Sequence, residues 1–187
     1  MQSQILMIYA LNIFTLVWIF AHAKDYVFIF DRVENIKGDK KDLLDCTALK
    51  VIRKGSNYFI NGTYTLRDVF DNSFSVDLTT AYSPLGDSRF IKQPFQLKKR
   101  PVCCFYNTTY KNHIEPSFMK HSDFPIIPPE GLCPLPKGTF YINEVSIVDD
   151  NLPSHLGRGL WRLEERLYKG NECVGGVRVF VQIKDKH

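Results

Sequence analysis

The side chains best placed to do chemistry after residue 23 are five cysteines and four histidines. Cys46, Cys103, Cys104, Cys133 and Cys173 could hold a metal, act as nucleophiles or form disulfides. A zinc set would join Cys103, Cys104 and Cys133 to His113 and His121, but that spacing fits no common zinc module. There is no Gly-x-Ser-x-Gly elbow, His-Glu-x-x-His, glycine-rich phosphate loop or Cys-x-x-Cys in the chain. The expectation is a protein that is not an enzyme and has no metal or cofactor. Glu164 and Glu165 are adjacent, and neighbours on a strand point to opposite faces, so they make no facing carboxylate pair. A solvated strand edge is the simpler reading for them.

The N-terminus assigns a compartment to the cysteines. The first 23 residues carry no charge, Ile5 to Phe20 is apolar apart from Asn12 and Thr15, and Ala21-His22-Ala23 follows. This reads as a cleaved signal peptide over 1–23, leaving 24–187 as one secreted, extracellular domain. Disulfides are the default in that compartment. Adjacent cysteines rarely bond to each other, so Cys133 is expected to pair with Cys103 or Cys104. Asn61-Gly62-Thr63 and Asn107-Thr108-Thr109 make Asn61 and Asn107 candidate glycosylation sites. The net charge of +4 is small and scattered, which argues against a nucleic-acid partner. Lys98-Lys99-Arg100 reads as a solvated loop.

The elements that must position these groups are strands. β-forming or alternating stretches run over Tyr26–Val33, Cys46–Arg53, Tyr58–Leu66, Phe74–Leu78, Phe90–Leu97, Phe140–Val148, Leu160–Tyr168 and Val174–Ile183. Asn61-Gly62 marks a turn or bulge, and Pro94 marks an edge. A single weak helical candidate lies within Asn107–His121. The architecture expected is all-β, a two-sheet antiparallel sandwich. Its inward faces should hold Phe74, Val76, Leu78, Trp161, Leu163, Val177, Val179, Val181 and Ile183. The span from Pro116 to Pro136 contains six prolines, which prevent regular pairing. Phe118, Met119, Phe124, Ile126 and Ile127 lie among them. Two readings stay open: a loop tucked over the end of the core, or an apolar lid beside a ligand opening.

The C-terminal third carries Cys133-Pro134-Leu135-Pro136-Lys137-Gly138-Thr139-Phe140, then Leu152-Pro153-Ser154-His155-Leu156, then Cys173-Val174-Gly175 entering a final alternating strand. In this order the motifs resemble those of the ganglioside-activator-like proteins of the lipid-recognition (ML-like) superfamily, and among insect relatives the CheB-type family. The resemblance implies an immunoglobulin-like sandwich with an apolar cavity between its sheets, and a Cys46–Cys173 bond joining early and late strands. It implies a ligand lining drawn from Phe74, Val76, Phe118, Met119, Phe124, Ile126, Ile127, Trp161, Leu163 and Val179. The implied function is that of a secreted carrier or presenter of an apolar ligand (lipid, cuticular hydrocarbon or pheromone) in gustatory chemosensation and pheromone response. A membrane surface or receptor would be its further partner. The alternative is a secreted glycoprotein interaction module with a filled core and no small-molecule ligand.

Overall fold

The computed structural model describes residues 26–147 and 156–186. Residues 1–23, read above as a signal peptide, and the Leu152–His155 motif lie outside the described residues.

Nine strands dominate: β1 Tyr26–Ile36, β2 Leu44–Asp45, β3 Lys50–Lys54, β4 Asn57–Leu66, β5 Phe74–Ser83, β6 Ile91–Pro101, β7 Gly138–Val145, β8 Gly159–Lys169 and β9 Glu172–Asp185. Two tight hairpins set the registers. Lys54 pairs with Asn57, and Lys169 pairs with Glu172, leaving two-residue loops. Gly55 and Gly170 open those loops at φ 61° each, the left-handed conformation such turns require.

The strands form two groups. β1, β9, β8, β5 and β6 pair antiparallel in that order. β4 pairs with β3 and with β7. The two-residue β2 joins the groups, antiparallel to β4 at Leu44↔Leu66 and parallel to β9 at Leu44↔Gly175. The sheet is therefore mixed rather than wholly antiparallel. Side chains of both groups meet in shared clusters. Phe30 and Val181 pack with Ile60, Ile142 and Val145. Phe74, Val76, Leu167 and Val174 pack with Leu66, Phe70, Leu135 and Phe140. The arrangement is a sandwich-like fold of two layers with the core between them.

Between β6 and β7 the chain turns helical, earlier than the sequence pattern predicts. α1 (Val102–Phe105), π-helical turns over Tyr106–Ile114 and α2 (Glu115–Phe118) run without a break. The Glu115 N–H donates to the Tyr110 carbonyl five residues back, the spacing of a π-turn. Val102, Phe105 and Tyr110 pack in the cluster of Phe74, Val76 and Phe140. The following loop lies on this helical arm. Cys103 and Cys133 are disulfide-bonded, which resolves the choice left between Cys103 and Cys104. The Leu132 N–H donates to Asn107 Oδ1 at 2.8 Å, Lys111 Nζ to the Pro128 carbonyl at 2.7 Å, and the Ile127 N–H to Glu115 Oε1 at 2.6 Å.

The Cys46–Cys173 bond is corrected: both cysteines are buried free thiols. The parallel register explains it. Cys46 lies two residues after Leu44, and Cys173 two residues before its partner Gly175. They are thus four strand positions apart, roughly 13 Å at ~3.3 Å per residue. A disulfide needs Cα atoms within about 7 Å. Lys98-Lys99-Arg100 is also corrected, because it lies in β6 rather than in a loop. Lys99 Nζ donates to the Gly170 carbonyl at 2.6 Å and sits over the Tyr168 ring.

Candidate ligand-binding site

Directly opposed residues of an antiparallel pair share a face. On β8, Trp161, Leu163 and Glu165 oppose Val181, Val179 and Val177 of β9. On the other side they oppose Tyr82, Thr80 and Leu78 of β5. Val181 and Val179 pack in the interlayer cluster of Phe30, Ile60 and Ile142. This is the inner face, and Glu165 is on it. Leu78 and Val177 flank it across the strands, and Leu163 and Leu167 flank it along β8. The solvated-edge reading of Glu165 is overturned, since β8 is an interior strand with partners on both sides.

The opposite face of the same strands is a charged ladder. Arg166 Nε donates to Glu164 Oε1 at 2.7 Å, and Arg178 Nε donates to Glu164 Oε2 at 2.7 Å. Arg178 also reaches Glu34 Oε2 at 2.9 Å. Burial opposes ionisation of Glu164, but the two guanidiniums outweigh it and hold the carboxyl below its ordinary range. Phe180 lies buried on this face, its ring covered by the Arg32 guanidinium at 3.5 Å and met edge-on by Phe90.

Across the interior from Glu165, three elements converge. The helical arm brings Tyr106 and Tyr110, the loop brings Phe124, and β4 and β7 bring Tyr64 and Phe140. The rings form one aromatic cluster: Tyr106–Tyr110 4.8 Å, Phe124–Phe140 5.0 Å, Tyr64–Phe140 5.5 Å, Tyr110–Phe124 5.8 Å and Tyr64–Phe124 6.0 Å between centroids. Such separations suit edge-on and offset contact. Burial and neighbouring acidic groups, Glu165 among them, raise the Tyr64, Tyr106 and Tyr110 phenols above their ordinary range. Burial and Glu165 act likewise on the Cys46 thiol. Glu165 thus shares one electrostatic neighbourhood with these four groups.

Burial, and after it the charge of Asp77, pushes the Glu165 carboxyl up to about 7. It has no hydrogen bond or ion pair to any described residue, and the three phenols likewise have none. Yet the one fully enclosed polar side-chain atom without a partner, among the described residues, is Asp77 Oδ1. The oxygens of Glu165, Tyr64, Tyr106 and Tyr110 therefore touch accessible space. Leu163, on the same inner face, keeps 36 % of its surface accessible.

The expected lining residues divide. Phe74 and Val76 are buried on β5, and Phe124 and Ile127 are buried beneath the loop. Trp161, Val179 and Phe118 are half-buried. Met119 and Ile126 are exposed at 49 % and 58 %. Phe124 and Ile127 are therefore core, as the tucked-loop reading has them, and Met119 and Ile126 project. Trp161 stacks on Tyr82 and donates from Nε1 to the Gly157 carbonyl at 2.9 Å. Asn61 and Asn107 are half-buried, and the Asn107 side chain rests against Gly131. Sequence reasoning missed Tyr64, Tyr106 and Tyr110 and misread Glu165. The i+2 spacing of Glu165 from Leu163 was the available signal for its face.

Residues 76–163 match a family model described as Protein of unknown function (DUF1091). The similarity runs from β5 into β8 and covers just under half of the chain. It takes in the helical arm and the loop, with Tyr106, Tyr110 and Phe124, and ends two residues before Glu165. No curated protein matches the chain. Among the described residues, no helix is long and apolar enough to cross a membrane, and no group of three or more His, Cys, Asp or Glu is placed to hold a metal ion.

Proposed function

We propose that this protein is a secreted carrier or presenter of an apolar ligand, built as an immunoglobulin-like sandwich with an apolar cavity between its layers. The observation that carries the reading is the inner face of β8. Leu163 is held there between Thr80 and Val179, yet keeps more than a third of its surface accessible. A filled core leaves almost no such surface, because interiors pack as densely as organic crystals. An apolar chain filling that space would gain about 0.8 kcal/mol per methylene removed from water. The Cys103–Cys133 disulfide agrees with an extracellular setting. The match to an uncharacterised family is compatible with an ML-like lipid-recognition protein and with a CheB-type role in contact chemosensation. Met119 and Ile126 offer an apolar contact to a membrane surface or receptor during ligand transfer.

The second reading is an interaction module with a filled core. The edge strand β6 favours it, because Ile91 and Phe95 are 60 % and 64 % exposed beside an unpaired strand edge. One titration separates the two. A fluorescent fatty acyl probe should bind with saturable, one-to-one stoichiometry, and mass spectrometry of protein secreted from insect cells should find co-purifying lipid. Absence of both removes the carrier reading.

A further inference from the structure

Glu165 is an ionisable group with no hydrogen bond or ion pair among the described residues. Its carboxyl sits on an apolar inner face among Leu78, Leu163, Leu167 and Val177. Val177, opposed to it on β9, packs in one cluster with Cys46, Tyr64, Tyr106 and Tyr110, and Asp77, beside Arg166 on the other face of β5, acts on it only through charge. Glu165 is half-buried, and a carboxylate drawn partly from water without a hydrogen-bond donor costs free energy that a leucine there would not. The partnerless atoms of Glu165 and of the three phenols all contact accessible space.

We infer that Glu165, with Tyr64, Tyr106 and Tyr110, is a polar anchor inside the ligand space and selects an amphiphile whose head group donates hydrogen bonds, an alcohol or an amine. This deepens the carrier reading and rests on it. A carboxylate acceptor without donors binds groups that bring N–H or O–H to it. The phenols can donate to the head group's oxygen or accept from its hydrogens, while the aromatic rings take the first methylenes. A fatty acid would bring a second negative charge beside Glu165, and a plain hydrocarbon would leave the carboxylate unsatisfied. The anchor thus separates ligands that look alike to an apolar wall.

Binding of dodecanol, dodecylamine, dodecane and dodecanoic acid is to be measured by calorimetry at pH 8. The native protein should bind the alcohol and the amine more tightly than the other two. Glu165→Leu should weaken the alcohol and amine at least tenfold and leave dodecane unchanged or tighter, the direction expected for a lost charge-assisted hydrogen bond. Glu165→Gln should keep much of the alcohol affinity and lose the amine, which tells the two head groups apart. Addition of dodecanol to the native protein should shift the carbon resonance of the Glu165 carboxyl. Equal binding of all four probes, indifferent to Glu165→Leu, would overturn the anchor and leave the carrier reading standing. So would a Glu165 resonance unmoved at saturation, whatever the variants do. Failure of every probe and of the acyl fluorophore removes the carrier reading and the anchor with it.

Discussion

Glu164 and Glu165 are neighbours on β8 and face opposite sides of it: Glu164 accepts hydrogen bonds from Arg166 and Arg178, while Glu165 accepts none from any described residue. One peptide unit separates a carboxyl held below its ordinary range from one raised to about 7. Two predictions on stability follow with opposite signs.

Glu164→Ala should destabilise the fold by about 2–4 kcal/mol, because it strands two guanidiniums on a partly buried face. The pH dependence has a definite direction. The folded pKa of Glu164 is depressed, so its contribution is present above the ordinary carboxylate range. It is lost as pH falls through the folded value. Urea unfolding at pH 7 and pH 3 should show the native–variant gap closing at the lower pH.

Glu165→Leu should act in reverse. A raised carboxyl pKa means the folded state holds its proton where the unfolded chain has released it, so stability falls as pH rises from about 4.5 to beyond 7. The variant removes this penalty. It should be more stable than the native protein at pH 8, by no more than about 3 kcal/mol, with a smaller gap at pH 5. Thermal unfolding at the two pH values measures it, and an unchanged gap would place Glu165 in ordinary solvent.

Thiol mapping tests the cysteine assignment. Alkylation of the native protein should label Cys104, and alkylation in denaturant without reductant should add Cys46 and Cys173. Cys103→Ser should cost about 3–4 kcal/mol, the constraint expected for a bridge with a sequence separation of 30.

The loop should split by residue. Phe124→Ala should cost about 3–5 kcal/mol, since the ring is 6 % exposed and packs on Phe140, Tyr64 and Tyr110. Ile126→Ser should leave stability within about 0.5 kcal/mol. If the carrier reading holds, Met119→Ser with Ile126→Ser should slow ligand transfer to vesicles and spare equilibrium binding. Stopped-flow transfer of the acyl probe would read this.

Much of the fold was legible because strand side chains alternate. Val76, Leu78, Val181 and Ile183 lie inside as their period requires. Phe180 escaped, since an aromatic on the polar face becomes buried only when Arg32 and Phe90 fold over it, contacts distant in sequence. The Cys46–Cys173 bond failed for a similar reason: nothing local announces that the two residues of β2 run parallel to β9. The helical arm was hard to see because π-turns break the 3.6-residue period that betrays a helix. The anchor was least legible. Glu165 reads as an ordinary surface charge until the strands on both sides of it are known, and its tyrosines come from separate parts of the chain.

The two-residue β2 has a mechanical consequence. Among the described strands, the hydrogen-bonded ladder crosses between the layers only at Leu44–Asp45. The layers are hinged there like the covers of a book at a narrow spine. Elsewhere they are held by side chains, which can slide and regain contact without any backbone pairing being broken. Splaying the covers would therefore widen the interior at modest cost. Small-angle scattering should register such opening as a larger radius of gyration, while hydrogen exchange finds Leu44, Leu66 and the β8–β9 ladder still protected.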